Sequence, residues 1–223
     1  LIRSGDYFQD FPLHFTPEDS GRSGRKVIYR GYPGERPVLH RARRLTAWQA
    51  EPGGIYKTPA DWAVNAMWEN GVRAFAARHP NAMPGQPPVY SRTSAAVAGA
   101  DTTKFGFRTG DVPIVANPTE LEVVIWPGGP DGVFNWLQQV FSVSQVDHAA
   151  GVMTLGREAS SGATSAAWTI GAGSRYFVQG ARELLDAPGE FWHGGGFLYY
   201  RPRQLPIEAQ EVLVPGPSPQ YNE

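Results

Sequence analysis

The sequence predicts an all-β fold, and three observations carry that expectation. Glycine and proline contribute 26 and 20 of the 223 residues, so turn signals interrupt the chain too often for long helices. Between them the apolar residues alternate or sit in short runs, the spacing of strands rather than of helices. Hydrophobic residues at 41% and aromatics at 12% supply material for a core, which separates this chain from disordered polypeptides of low hydrophobicity and high net charge.

Taken in order, the predicted strands are Lys26–Arg30 (KVIYR), Pro37–His40, Leu121–Trp126, Gln139–Val146, Val152–Leu155, Arg175–Gln179, Phe197–Arg201 and Glu211–Val214. Asn70-Gly71, between Ala66–Glu69 and Val72–Phe75, predicts a hairpin, because this dipeptide accepts the two positive φ angles of a type I′ turn. A second hairpin is expected at Asp147–Gly151. The one helical pattern is Ala181–Asp186 (ARELLD), which stops before Pro188-Gly189. Asn81–Ala100 and Glu158–Gly173 have no usable period and read as long loops. The tail Pro215–Glu223 (PGPSPQYNE) reads as irregular, and no internal repeat is evident.

Composition narrows the function classes. Twenty basic and twenty-one acidic residues leave a net charge of −1, so there is no electrostatic case for nucleic acid or an anionic membrane as partner. No apolar run reaches the roughly 18 residues of a membrane-spanning helix. The absence of cysteine excludes disulfides, thiolate metal sites and a cysteine nucleophile. The opening Leu1-Ile2-Arg3-Ser4-Gly5-Asp6 has neither an initiator methionine nor a basic-then-apolar leader, which suits a processed protein or a piece of a longer one.

Several short motifs could carry chemistry. His193-Gly194-Gly195-Gly196 resembles an esterase oxyanion-hole segment. That reading also needs a G-x-S-x-G nucleophile elbow, which the sequence lacks, so a glycine-rich turn between Glu190–His193 and Phe197–Arg201 accounts for the segment. The histidines His14, His40, His79, His148 and His193 show no metal-ligand spacing, and no metal or other cofactor is expected. Paired carboxylates, Glu18-Asp19 or Glu120 with Glu122, could perform acid–base work on a sugar. A polar turn explains the first pair as well, and the solvated face of a strand the second. Arg78-His79-Pro80-Asn81 leaves the Asn70-Gly71 hairpin for a proline-rich loop. It could position a sugar hydroxyl, or Arg78 could tie the loop down through backbone carbonyls; both readings stay open.

In order along the chain, these segments resemble a known family. Gly5-Asp6-Tyr7-Phe8 and Phe15-Thr16-Pro17-Glu18-Asp19-Ser20-Gly21 look like its opening strand and polar turn. Val27–Leu39 (VIYRGYPGERPVL) followed by Leu45-Thr46-Ala47-Trp48 is similar to the VTYRAYPGEEPVLSGG…ITGW run of right-handed parallel β-helix glycoside hydrolases. The resemblance continues through Trp68–Arg73, Ala77–Asn81, Asn117–Val123, Arg175–Val178, Leu184–Trp192 and Leu198–Tyr200. The named group is glycoside hydrolase family 141, and the β-helix β-xylosidases of family 120 are more distant.

The resemblance implies the first coils of a right-handed parallel β-helix in residues 1–50 and an inserted β-sandwich or barrel-like domain in residues 51–203. Residues 204–223 would be a return segment and irregular tail. It further implies hydrolysis of glycosidic bonds in a plant-type polysaccharide, xylan or a fucosylated glycan, in an extracellular or periplasmic setting. In the family, later coils carry the catalytic carboxylates, so the chain reads as part of a longer enzyme. If activity resides in this portion, Glu18 and Asp19 are the expected catalytic pair, and Arg78, His79 and Asn81 the expected substrate-binding residues. A non-catalytic polysaccharide-binding module and a serine esterase are the alternatives. An open coil end exposes apolar surface, so a homo-oligomer with Val27–Trp48 at or near the contact is also expected.

Overall fold

Period-two burial organises the chain in the computed structural model, which describes residues 1–9, 13–94, 97, 102–130, 136–157, 159 and 170–217. Phe197–Arg201 shows how one strand serves two layers. Leu198 and Tyr200 point into one apolar cluster with Phe191, Met67, Val212 and Val214. Tyr199 faces the opposite way and packs with Trp192 against the other cluster. Successive side chains alternate across a pleated strand, so this sheet lies between two cores.

That central sheet runs Gln49–Glu51, Ile55–Pro59, Phe197–Arg201, Glu190–Gly194 and Phe75–Ala76. Its strands pair antiparallel except the last two, which are parallel. On one side lies a larger antiparallel sheet in the order Ser91–Arg92, Arg175–Gln179, Glu122–Trp126, Gln139–Asp147, Val152–Leu155 and Lys104–Gly106. Arg78–His79 pairs with Arg175–Gln179 as well. A register shift between Val143 and Gln145 bends the long strand, as bulges do. The bond from Ser94 N to Gly106 O at 2.8 Å draws the two edges of the sheet together. Val123, Ile125, Phe141, Met153, Tyr176 and Val178 fill its interior. Each fully buried large apolar side chain contributes about 1.5–3 kcal/mol.

On the other side, Ala42–Arg44, Val212–Pro215, Trp68–Glu69 and Val72–Arg73 form a four-stranded antiparallel sheet. It is pinned by a buried charge pair. Glu69 accepts from Arg203 N at 3.2 Å, and its carboxylate lies 3.5 Å from the Arg203 guanidinium. The hairpin between Trp68–Glu69 and Val72–Arg73 turns at Asn70 (φ 50°) and Gly71 (φ 75°), the geometry expected of Asn-Gly. The hairpin at Asp147–Gly151 also forms.

Three expectations need correction. Lys26–Arg30 is not a strand: Val27, Ile28 and Tyr29 are exposed at 51%, 66% and 59%. Next to it the chain makes one parallel bridge, Ile2 with Gly31. An alternating run becomes a strand only when a partner strand shares its backbone bonds along its length, and among the described residues only Arg30 O is bonded in this way, by Ile2 N at 2.9 Å. Ala181–Asp186 is a single 3-10 turn, Arg182–Leu184, because its apolar residues are too few for a longer helical face. The described sheets are mostly antiparallel and do not form a solenoid. Parallel contacts among the described residues are the pairing of Gly5–Phe8 with Pro37–His40, the Ile2–Gly31 bridge and the pairing of Phe75–Ala76 with Glu190–Phe191. The stretch Glu158–Gly173 lies largely outside the described residues.

Candidate functional site

Glu18 and Asp19 sit in an exposed 3-10 turn, Pro17–Asp19. Asp19 Oδ2 accepts from Thr16 N at 2.8 Å and from Thr16 Oγ1 at 3.3 Å, so its carboxylate closes the turn locally. The Thr16 side chain, by hydrogen bonding, holds the Glu18 carboxyl below the usual carboxylate range. Glu18 lines an open groove of 630 Å³ with Arg22, Arg25 and Lys26. A carboxyl kept ionised in this way suits a base or nucleophile rather than a general acid, which needs a raised pKa.

Arg78, His79 and Asn81 lie elsewhere, and no hydrogen bond or ion pair among the described residues joins them to that turn. Arg78 is buried. Its Nε donates to Pro80 O and its Nη2 to Val89 O, both at 2.9 Å, and the guanidinium stacks 3.5 Å from the Phe177 ring centre. These contacts are those of a loop anchor. Burial pushes the Arg78 pKa down, opposed by the charges of Tyr90 and Glu190. His79 belongs to the strand that pairs with Val178. Asn81 donates to Asp186 Oδ1 at 2.8 Å, while its own Oδ1 is buried without a partner.

The same region contains a carboxyl that sequence reasoning missed. Glu190 is fully buried. Its Oε2 accepts from Ala187 N at 3.1 Å and Asp186 N at 3.3 Å, and its Oε1 has no partner. Burial pushes the Glu190 carboxyl up to about 7. The Ala187 backbone donor opposes the rise and the Asp186 charge adds to it.

A third grouping is a 410 Å³ cleft where the central sheet meets the larger one, lined by Asn65, Glu120, Glu122, Gln179, Trp192 and His193. Strand register places Glu122 opposite Gln179, and Gln179 Nε2 donates to Glu122 Oε2 at 3.0 Å. Glu120 closes the 3-10 turn Pro118–Glu120 rather than lying on the strand, and Asn117 Nδ2 donates to its Oε1 at 3.2 Å. Gly180 forms part of the cleft wall at φ +101°, where a Cβ would sit 2.5 Å from Glu120 O; only glycine fits there without displacing backbone. Trp192 Nε1 donates to Gly180 O at 2.6 Å. His193 Nε2 lies 3.0 Å from Ala60 O, and since a carbonyl can only accept, that nitrogen carries the proton.

The His193–Gly196 segment is a hairpin turn. Gly195 and Gly196 have φ of 61° and 79° between the paired strands Glu190–Gly194 and Phe197–Arg201. Gly194 leaves room for the Trp192 ring, which a Cβ would meet at 2.3 Å. No group of three or more His, Asp or Glu among the described residues is placed to hold a metal ion.

No protein-family model matches the sequence, and no curated protein matches it. Among solved structures, one described as "Glycoside hydrolase" superposes with a TM-score of 0.72 over 96% of this chain, at 20% sequence identity. The chain spans 38% of that protein's length. At this identity the likeness is one of fold.

Proposed function

We propose that the chain is the carbohydrate-handling portion of an O-glycosyl hydrolase acting on a plant-type polysaccharide, xylan or a fucosylated glycan, outside the cytoplasm. The observation that carries this reading is the fold likeness over nearly the whole chain to a protein described as a glycoside hydrolase. The parallel pairing of Gly5–Phe8 with Pro37–His40 and the adjoining Ile2–Gly31 bridge support a further step, in which residues 1–40 are the start of a parallel β-helix; Ala42–Arg44 and Gln49–Glu51, inside the expected 1–50 boundary, belong to the antiparallel sheets. Tyr7, Phe8, Val27, Ile28 and Leu39 are exposed beside that pair. They suit a surface covered by further coils or by a second copy of the chain, since apolar patches of this kind are uncommon on a free monomer.

Glycosidic hydrolysis uses two carboxyl groups flanking the scissile bond, one of them held protonated as general acid. Glu18 and Asp19 are the pair proposed for this portion, with His79 and Asn81, which lie apart from that turn, contacting a more distant part of the polysaccharide; Arg78, buried and bonded to Pro80 O and Val89 O, anchors its loop instead. In these roles Glu18, ionised in its basic groove, would serve as base or nucleophile. Reducing-sugar release from xylan and from a fucosylated oligosaccharide tests the assignment. Glu18→Gln and Asp19→Asn should each lower turnover at least about tenfold, since acid–base groups contribute 10²–10⁴. Unchanged turnover in both variants removes the pair from the reaction. If the wild-type chain is inactive but retained on insoluble polysaccharide, the binding-module reading replaces the catalytic one.

A further inference from the structure

We propose that the cleft between the central and larger sheets is a binding subsite for neutral sugars that rejects uronic acids, separate from the Glu18–Asp19 groove; the proposal rests on the carbohydrate reading above. Its size lies within the range of small-ligand sites. Its wall combines an indole, an imidazole, two side-chain amides and two carboxylates, the mix of apolar face and hydroxyl-bonding groups that a pyranose ring requires.

The lining is preorganised. Trp192 and His193 are each tied to a main-chain carbonyl, Gly180 O and Ala60 O respectively. Glu122 is held through Gln179 and Glu120 through Asn117. The Trp192 N–H is spent on Gly180 O, so the indole can offer only apolar surface; the other bonds leave capacity for a ligand. Glu122 Oε1 has no protein partner among the described residues, and Gln179 retains its side-chain oxygen. Groups fixed before binding lose little freedom when a ligand arrives.

Charge sets the selectivity. Glu120 and Glu122 are exposed carboxylates on the rim, and no lysine or arginine is among the described residues that line the cleft. A sugar hydroxyl can donate to either carboxylate in a charge-assisted bond. A uronate would instead bring a third negative charge beside two like charges, with no cation to receive it. The Glu18 groove has the opposite balance, with Arg22, Arg25 and Lys26 on its wall.

Calorimetric titration of the 223-residue chain with xylotetraose, fucosyllactose and trigalacturonate tests the proposal. At low salt at least one neutral probe should bind, with trigalacturonate at least about tenfold weaker. The difference should narrow in high salt, because screening weakens repulsion at the rim. The double variant Glu120→Gln/Glu122→Gln should keep its fold, since both side chains are exposed. It should bind the neutral probe about tenfold more weakly and discriminate less against the acidic one. Equal binding of acidic and neutral probes, or a double variant that binds the neutral probe as the parent does, overturns the subsite while leaving the carbohydrate reading intact. If no probe binds, both fall.

Discussion

Replacing Glu190 by glutamine should stabilise the protein at alkaline pH and leave it unchanged in acid. Glu190 is buried, and its carboxyl titrates near 7 in the fold instead of at its ordinary 4.5. Between those two values the folded state holds a proton that the unfolded chain has released. Stability therefore falls as pH rises from about 4.5 and levels off above about 7. At about 1.4 kcal/mol per pH unit, the loss across the window totals about 3 kcal/mol. The glutamine amide imitates the protonated acid: one oxygen can still accept from Ala187 N and Asp186 N, and there is no charge to desolvate. In a chain of this size 1 kcal/mol moves the Tm by roughly 2–4 °C. Thermal unfolding followed by circular dichroism should then show Glu190→Gln and the parent melting together at pH 4.5, with the variant about 6–12 °C higher at pH 8. Parallel curves across that range would mean that the Glu190 carboxylate is accommodated in the fold without penalty.

Three other outcomes follow from particular contacts. Arg203→Met leaves Glu69 in the core without its counter-charge or the bonds Arg203 gives to the carbonyl oxygens of Val72 and Arg73; urea unfolding should show a loss of about 3–5 kcal/mol. Gly180→Ala forces a methyl group against Glu120 O at φ +101°, which should cost about 1–3 kcal/mol and shift amide resonances of Glu120, Glu122 and Trp192 together. A fluorophosphonate probe should leave the folded chain unlabelled, because His193–Gly196 is a hairpin turn; labelling of a serine would restore the esterase alternative.

Strands with their own alternation and flanking turn residues were legible in the sequence. Arg175–Gln179, Phe197–Arg201, Pro37–His40 and Val152–Leu155 form over the expected residues. Phe75–Ala76, Arg78–His79 and Ser91–Arg92 were not legible. Two residues carry no period, and each becomes a strand only because a distant edge, such as Glu190–Phe191 or Val178–Gln179, pairs with it. Val27–Tyr29 failed in the opposite sense, with a strand pattern but no strand beside it. At the sites, Glu120 and Glu122 were visible as a pair, but the cleft depends on register with Gln179 and on the close approach at Gly180. Pairwise sequence spacing encodes neither. Glu190 follows Pro188-Gly189, where a charged residue reads as solvent-facing. Its burial comes from pairing at long range, with Glu190 between Phe75 and Arg201 in the central sheet and its carboxylate turned back on Asp186 N and Ala187 N.

Co-sedimentation with insoluble arabinoxylan, a largely neutral polysaccharide, decides whether this chain handles carbohydrate. The folded chain should sediment with the polymer, soluble xylotetraose or fucosyllactose should compete it off, and soluble trigalacturonate should not. A chain that stays in the supernatant with arabinoxylan and with an insoluble fucosylated glycan alike would contradict the carbohydrate reading.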